Sequence, residues 1–171
     1  MKKNNLILIF LLSVSGVSAQ QLSVVDLTSE HKVNPIGLET QQPRFSWKIN
    51  ATGNSIMQSA YQIRVATEPS FAKSKMVWDS GKIESDESVL QKYKGSSLTS
   101  GQRYYWQVKV WDNKRRTSKW SETAYWEMGL LNEADWKAKW IEKTGDAERN
   151  SPALYLRKEF DVDKKISKAT I

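Results

Sequence analysis

No cysteine occurs anywhere in the 171 residues, and there is a single histidine. The first absence removes a disulfide framework, so a folded chain must be held by a packed core. The second leaves His31 in a polar loop with no cysteine or second histidine beside it. That excludes the usual metal-ligand spacings and gives a Ser/His arrangement no base to build on, so neither a metal nor another cofactor is expected. Eight glycines and four prolines are scattered singly, without a Gly-rich phosphate loop, a low-complexity tract or an internal repeat. Long apolar runs are missing as well. The longest, Leu6 to Leu12, falls well short of the about 20 residues that cross a bilayer.

That short run follows Lys2 and Lys3 and precedes a Ser/Gly/Val stretch ending Val17-Ser18-Ala19, the small-x-small pattern that a signal peptidase cuts after. Residues 1–19 are therefore expected to be a secretory signal, cleaved between Ala19 and Gln20, with no membrane span left afterwards. Losing Lys2 and Lys3 takes the formal charge from +7 to +5. The remaining basic residues alternate with acids, apart from a cluster at Lys114, Arg115, Arg116 and Lys119. Such a cluster suits a solvated loop rather than a stripe that tracks phosphates, and nucleic acid is not an expected partner.

What the chain does have is strand patterning. From Leu98 to Asp112, Tyr104, Trp106, Val108 and Val110 share one parity while Tyr105, Gln107, Lys109 and Trp111 share the other. This period of two belongs to a pleated strand with one apolar face. Ahead of it, Leu98, Gly101 and Tyr104 have the L-x-x-G-x-x-Y spacing of a tyrosine corner, whose hydroxyl bonds back to the preceding turn. Further strands are expected at Leu22–Leu27, Arg44–Ile49, Ser59–Thr67, Met76–Asp79, around Lys82-Ile83, and at Ser88–Tyr93 and Thr123–Met128. Ser59–Thr67 should pair with the Leu98–Asp112 strand. A helical turn is expected near Phe71 and Ala72, and a hairpin over Asn113–Ser118. Short strands separated by turn signals, with no helical period, specify an all-β, antiparallel two-sheet sandwich with fibronectin type III-like spacing over residues 20–129.

Beyond Met128 the character changes. Residues 130–152 read as a linker with a short helical turn carrying Trp136 and Trp140 four apart. In residues 153–171, Ala153–Val162 alternates again, with Leu154, Leu156, Lys158 and Phe160 in step. This C-terminal extension is expected to begin a second β domain that these residues do not complete, as in a fragment of a longer protein.

The combination of Pro43-Arg44-Phe45-Ser46-Trp47, Gln58 to Val65, Val77-Trp78-Asp79-Ser80-Gly81-Lys82, Tyr104 to Asp112, Ser118-Lys119-Trp120-Ser121 and Trp126 to Leu131 resembles the amino-terminal region of bacterial α-L-rhamnosidases. Asp135 to Ile141 and Leu156 to Phe160 resemble the link into that family's next, jelly-roll-like domain. The resemblance implies an accessory sandwich of an exported glycoside hydrolase, periplasmic or at the cell surface. Its partners would be the downstream domains of the same polypeptide and rhamnose-containing glycans. It also implies inverting hydrolysis by paired acids on a helical barrel downstream of these residues. A free-standing fibronectin type III-like module that binds carbohydrate or protein is the alternative.

The carboxyls agree with a role away from the chemistry. Inverting glycosidases place two of them about 6.5–9.5 Å apart in a cleft. Here Asp79 falls in a turn, Asp112 at a strand end, and Glu84, Asp86 and Glu87 in a polar loop, so no catalytic residue is assigned. Asn50-Ala51-Thr52 fits a glycosylation acceptor, a short and common pattern.

Eight tryptophans remain to be placed. Trp47 and Trp106 have inward parity and belong to the core. Trp111 and Trp120 flank the basic hairpin and Trp78 precedes a turn, so these are candidates for exposure. Trp111 and Trp120 are the candidate sugar-stacking residues. The competing expectation is that they staple the hairpin with cation–π help from Arg115 or Arg116, while Trp126, Trp136 and Trp140 pack against further domains.

Overall fold

The computed structural model describes residues 22–139, 141 and 155–166. The expected signal and its cleavage pair, Ala19 and Gln20, lie outside the described residues, as does Trp140. Among the described residues there are eight strands: β1 (Leu22–Ser29), β2 (Arg44–Ala51), β3 (Gln58–Ala66), β4 (Met76–Asp79), β5 (Ile83–Glu84), β6 (Gln91–Lys92), β7 (Arg103–Asp112) and β8 (Ala124–Glu127). They form a three-stranded sheet, β1-β2-β6, and a five-stranded sheet in the order β4-β3-β7-β8 with β5 also on β3. Every pairing between these strands is antiparallel. The two-sheet all-β sandwich read from the alternation is the observed architecture, and no α-helix occurs among the described residues.

The core lies where parity places it. Tyr104, Trp106, Val108 and Val110 of β7 face Phe45 and Trp47 of β2, and the register aligns Ile63 with Val108 and Val65 with Trp106. Phe45 lies 4.5 Å from Trp106 and 5.3 Å from Trp126 between ring centroids, and Tyr104 stacks on Trp126 at 5.3 Å. Burial of several large aromatic rings compensates for the missing disulfides, because each ring removes a large apolar area from water.

The corner forms as its spacing requires. The Thr99 N–H donates to the Tyr104 hydroxyl at 2.9 Å, Leu98 is buried, and Gly101 takes φ +67°, which a side chain would disfavour. The Gln41 side-chain amide clasps the Leu98 peptide from outside the corner, donating to its carbonyl and accepting from its N–H.

Several expectations need correction. The run Ser88–Tyr93 is not one strand: Leu90 takes φ +54°, which interrupts the alternation, so that Gln91–Lys92 ladders with β2 while Ser88 is held to it by the Trp47 N–H at 3.0 Å. The turn expected around Phe71 and Ala72 sits later, as a 3-10 turn over Lys73–Lys75, while Phe71 itself is buried at φ +51°. Trp78, by contrast, is partly exposed as its place before a turn implies, and it meets Tyr93 edge-on at 5.1 Å. Trp126, expected to pack against further domains, is instead one of the most deeply buried side chains of the sandwich core. The single helical turn after the sandwich is Glu133–Asp135, closed by an Asn132/Asp135 capping box, and Trp136 follows it in extended backbone.

The chain divides into two compact units after Trp136. In the second, residues 155–166 are exposed and form neither helix nor strand, so the strand expected over Ala153–Val162 is not found in its described part. Alternation alone does not make a strand, since a ladder needs a partner for its N–H and C=O groups.

Candidate functional site

The outward face of the five-stranded sheet holds both candidate tryptophans. Trp111 lies on β7 at a position facing away from the core. Trp120 comes from the segment between the hairpin turn and β8, which follows β7 without forming a ladder. Ser118 and Ser121 each close a pair of bonds to β7. Their N–H groups donate to the carbonyls of Val110 and Val108, both at 2.9 Å, and their hydroxyls accept from the N–H groups of the same valines at 3.0 and 3.1 Å. Three residues of this segment thus span two of β7, and Trp120 between the serines is carried onto the sheet's outer surface.

Cations fill the spaces around these indoles. The Lys109 ammonium is 4.9 Å from the Trp111 ring centroid and 4.8 Å from that of Trp120. The Lys82 ammonium approaches Trp111 at 5.2 Å. On the other flank the Arg64 guanidinium is 4.1 Å from Trp120 and 4.5 Å from Phe71. Gln107 fixes that guanidinium: its Oε1 accepts from Arg64 Nε at 3.0 Å, and its amide donates to Thr123 Oγ1 at 3.0 Å. Burial lowers the Arg64 pKa from its usual value, partly offset by the charge of Asp79.

The structure therefore brings Trp111 and Trp120 together through Lys109. Both are half-buried, and cations already stand over their rings. The hairpin arginines do not supply this contact. Arg116 instead donates from Nε to Asp112 Oδ2 at 2.6 Å, and Arg115 occupies a positive-φ turn position. The physical reason is register: pairing of β3 with β7 sets Arg64 beside Gln107 and Gln62 beside Lys109. Sequence reading assigned none of Arg64, Lys82, Lys109, Phe71 and Gln107 to a site. A signal was available in the outward parity that Lys109 shares with Trp111.

The acids are engaged one at a time. Asp112 is buried; burial alone would raise its pKa, but bonds from the Arg116 backbone and side chain and from the Lys114 N–H hold the carboxyl below its usual range. Glu30 is lowered chiefly by the Arg44 side chain, which reaches its Oε2 at 2.6 Å. Buried Glu127 accepts from Arg103 at 3.2 Å. Asp79 is not in a turn but ends β4, opposite Arg64, and accepts from Gln62 and the Gly81 N–H. His31 stands in an exposed turn at φ +65°. Among the described residues no group of three or more His, Cys, Asp or Glu side chains is placed to hold a metal ion.

Comparison with known proteins gives a consistent match over this sandwich. An α-L-rhamnosidase of Formosa agariphila is 48% identical over 118 residues, covering 67% of this chain and 12% of its own length. An α-L-rhamnosidase of Streptomyces avermitilis is 42% identical over 120 residues, covering 70% and 12%. The chain thus spans about an eighth of the curated relatives it matches. Among solved structures, the Streptomyces avermitilis α-L-rhamnosidase complexed with L-rhamnose superposes with a TM-score of 0.68 at 42% identity, covering 71% of this chain and 12% of that one. The α-L-rhamnosidase from Dictyoglumus thermophilum gives 0.67 at 40% identity, covering 71% and 14%. The model for the N-terminal immunoglobulin domain of Rha78A-like proteins matches residues 24–132, from within β1 to the start of the 3-10 turn, and the chain belongs to that family.

Proposed function

We propose that this chain supplies the leading, non-catalytic sandwich of an exported enzyme that hydrolyses terminal α-L-rhamnose, with the reacting carboxyls carried by later domains of the same polypeptide. The observation that carries this reading is the match of the whole sandwich, at 42% identity, to a small part of a rhamnose-binding α-L-rhamnosidase. The treatment of the acids supports it. Asp112, Glu127 and Glu30 are each committed to an arginine, whereas inverting glycoside hydrolysis needs one carboxyl free to give a proton and one to activate water. In this reading Trp111 and Trp120 brace the sheet, and the Lys2-Lys3 leader with its Val17-Ser18-Ala19 ending directs export.

Purified residues 20–171 are expected to leave an aryl α-L-rhamnoside intact, while the full product of the gene cleaves it. Turnover by the short piece would overturn the assignment. Sequencing the amino terminus of the mature protein is expected to begin at Gln20, and an intact Met1 in the exported fraction would remove the export step.

A further inference from the structure

Among the described residues four cations stand over aromatic rings on the outward side of the five-stranded sheet, and they are compensated unequally. Lys82 bonds the Glu84 carboxylate at 2.6 Å, and Arg103, over the Tyr125 ring, reaches that of Glu127 at 3.2 Å. Arg64 and Lys109 share the Trp120 ring, at 4.1 and 4.8 Å from its centroid, and neither bonds a carboxylate among the described residues. Asp79 is opposite Arg64 in the register but accepts from Gln62 and the Gly81 N–H instead. Burial lowers the Arg64 pKa more than the charge of Asp79 raises it. Two positive charges thus meet at one indole without a bonded counter-charge, a repulsion that an anion would relieve.

The Arg64 guanidinium is also held in one pose. It contacts the rings of Trp120 and Phe71, and Gln107 Oε1 accepts from both Nε and Nη2, which takes up one edge of the fork. The other edge, Nη1 with the second hydrogen of Nη2, has no partner among the described residues, and Nη1 is not sealed from solvent. That edge offers two parallel N–H donors, the pattern that a carboxylate matches with both of its oxygens. A guanidinium already fixed by two rings and an amide loses little freedom when it binds.

We propose that the free edge of Arg64, together with Lys109, is a subsite for the carboxylate of a uronic acid residue in a glycan; this deepens the reading under Proposed function and rests on it. The occupant is argued from charge and access. A neutral sugar would have to stack on the Trp111 or Trp120 rings, where cations already stand, whereas a carboxylate uses those cations directly. Of the anionic groups a glycan carries, the planar carboxylate of a uronate fits the flat fork of Arg64, and Lys109 adds a point charge at the same ring. Binding here holds the polymer to the sandwich and contributes no reacting group.

Titration of the full gene product with an oligogalacturonate, and with the same oligomer after its carboxyls are reduced to alcohols, tests the subsite, with turnover of an aryl α-L-rhamnoside measured alongside. The acidic oligomer is expected to bind at least several-fold more tightly than the reduced one. Arg64→Lys, which keeps the charge and removes the fork, and Lys109→Met should each weaken the acidic oligomer several-fold and leave turnover unchanged; if Arg64→Lys does not fold, Lys109→Met decides. Equal binding of the two oligomers, or unchanged affinity in the folded variants, would overturn the subsite and leave the functional reading standing. Equally tight, Arg64-dependent binding of a sulfated oligosaccharide or of polyglutamate would overturn the assignment to a uronate. Arg64-dependent binding of the oligogalacturonate by a gene product that leaves the rhamnoside intact would support the subsite and overturn the functional reading alone.

Discussion

Trp106 and Trp111 stand on the same strand with opposite parity, and the two faces of the five-stranded sheet hold them by different physics. Trp106 is fully buried against Phe45, with its indole N–H unpartnered, so packing alone outweighs the lost hydrogen bond. Trp111 stays half-buried and is held by the ammonium groups of Lys82 and Lys109. The inner face gains from area removed from water, the outer from cations above an aromatic quadrupole in a partly solvated setting. A tryptophan count therefore says little about which indoles a sugar could reach.

The largest expected effect lies on the inner face. Trp126→Ala should cost about 3–5 kcal/mol, since Phe45, Tyr93 and Tyr104 would be left around a cavity. Trp111→Ala should cost nearer about 1 kcal/mol. Urea unfolding of both variants measures the gap, and equal losses would erase the contrast between the faces.

Asp112 comes next, because it has inward parity yet stays ionised. Its folded pKa is depressed, so the folded state binds fewer protons than the unfolded one; the stabilisation is present above the unfolded value and is lost as pH falls through the folded one. Asp112→Asn should cost roughly 2 kcal/mol at neutral pH and flatten the fall in stability below about pH 4. Glu30, lowered in the same direction, will preserve part of that slope. Thermal unfolding between pH 7 and 3 reads both, and an unchanged slope would detach Asp112 from the acid response.

The smallest effect is expected from Lys109→Met, which keeps the aliphatic stem and removes the charge shared by Trp111 and Trp120. A loss of about 0.5–1 kcal/mol is expected. A loss comparable to that of Trp126→Ala would mean that the outer face carries the fold.

Much of this was legible in the sequence where the interactions are local. Alternation in Arg103–Asp112 placed Trp106 inside, and the Leu98, Gly101 and Tyr104 spacing placed a hydroxyl on its own turn. Trp126 was misread because its burial depends on Phe45, Tyr93 and Tyr104, which converge on it from three other parts of the chain. The hairpin arginines were assigned to the indoles because they are near in sequence. Asp112 captures Arg116 first, through a charge-assisted bond in a buried setting.

The sequence by itself determined the sheet class, the main inward residues of β2, β3 and β7, the tyrosine corner and the family. These follow from a side-chain period of two and from turn residues whose demands are met within a few positions. Tertiary structure alone decided which cation meets which indole and where the strand ladder stops at Leu90. Those outcomes depend on register between segments far apart in the chain, and a shift of one residue would turn every such side chain to the other face.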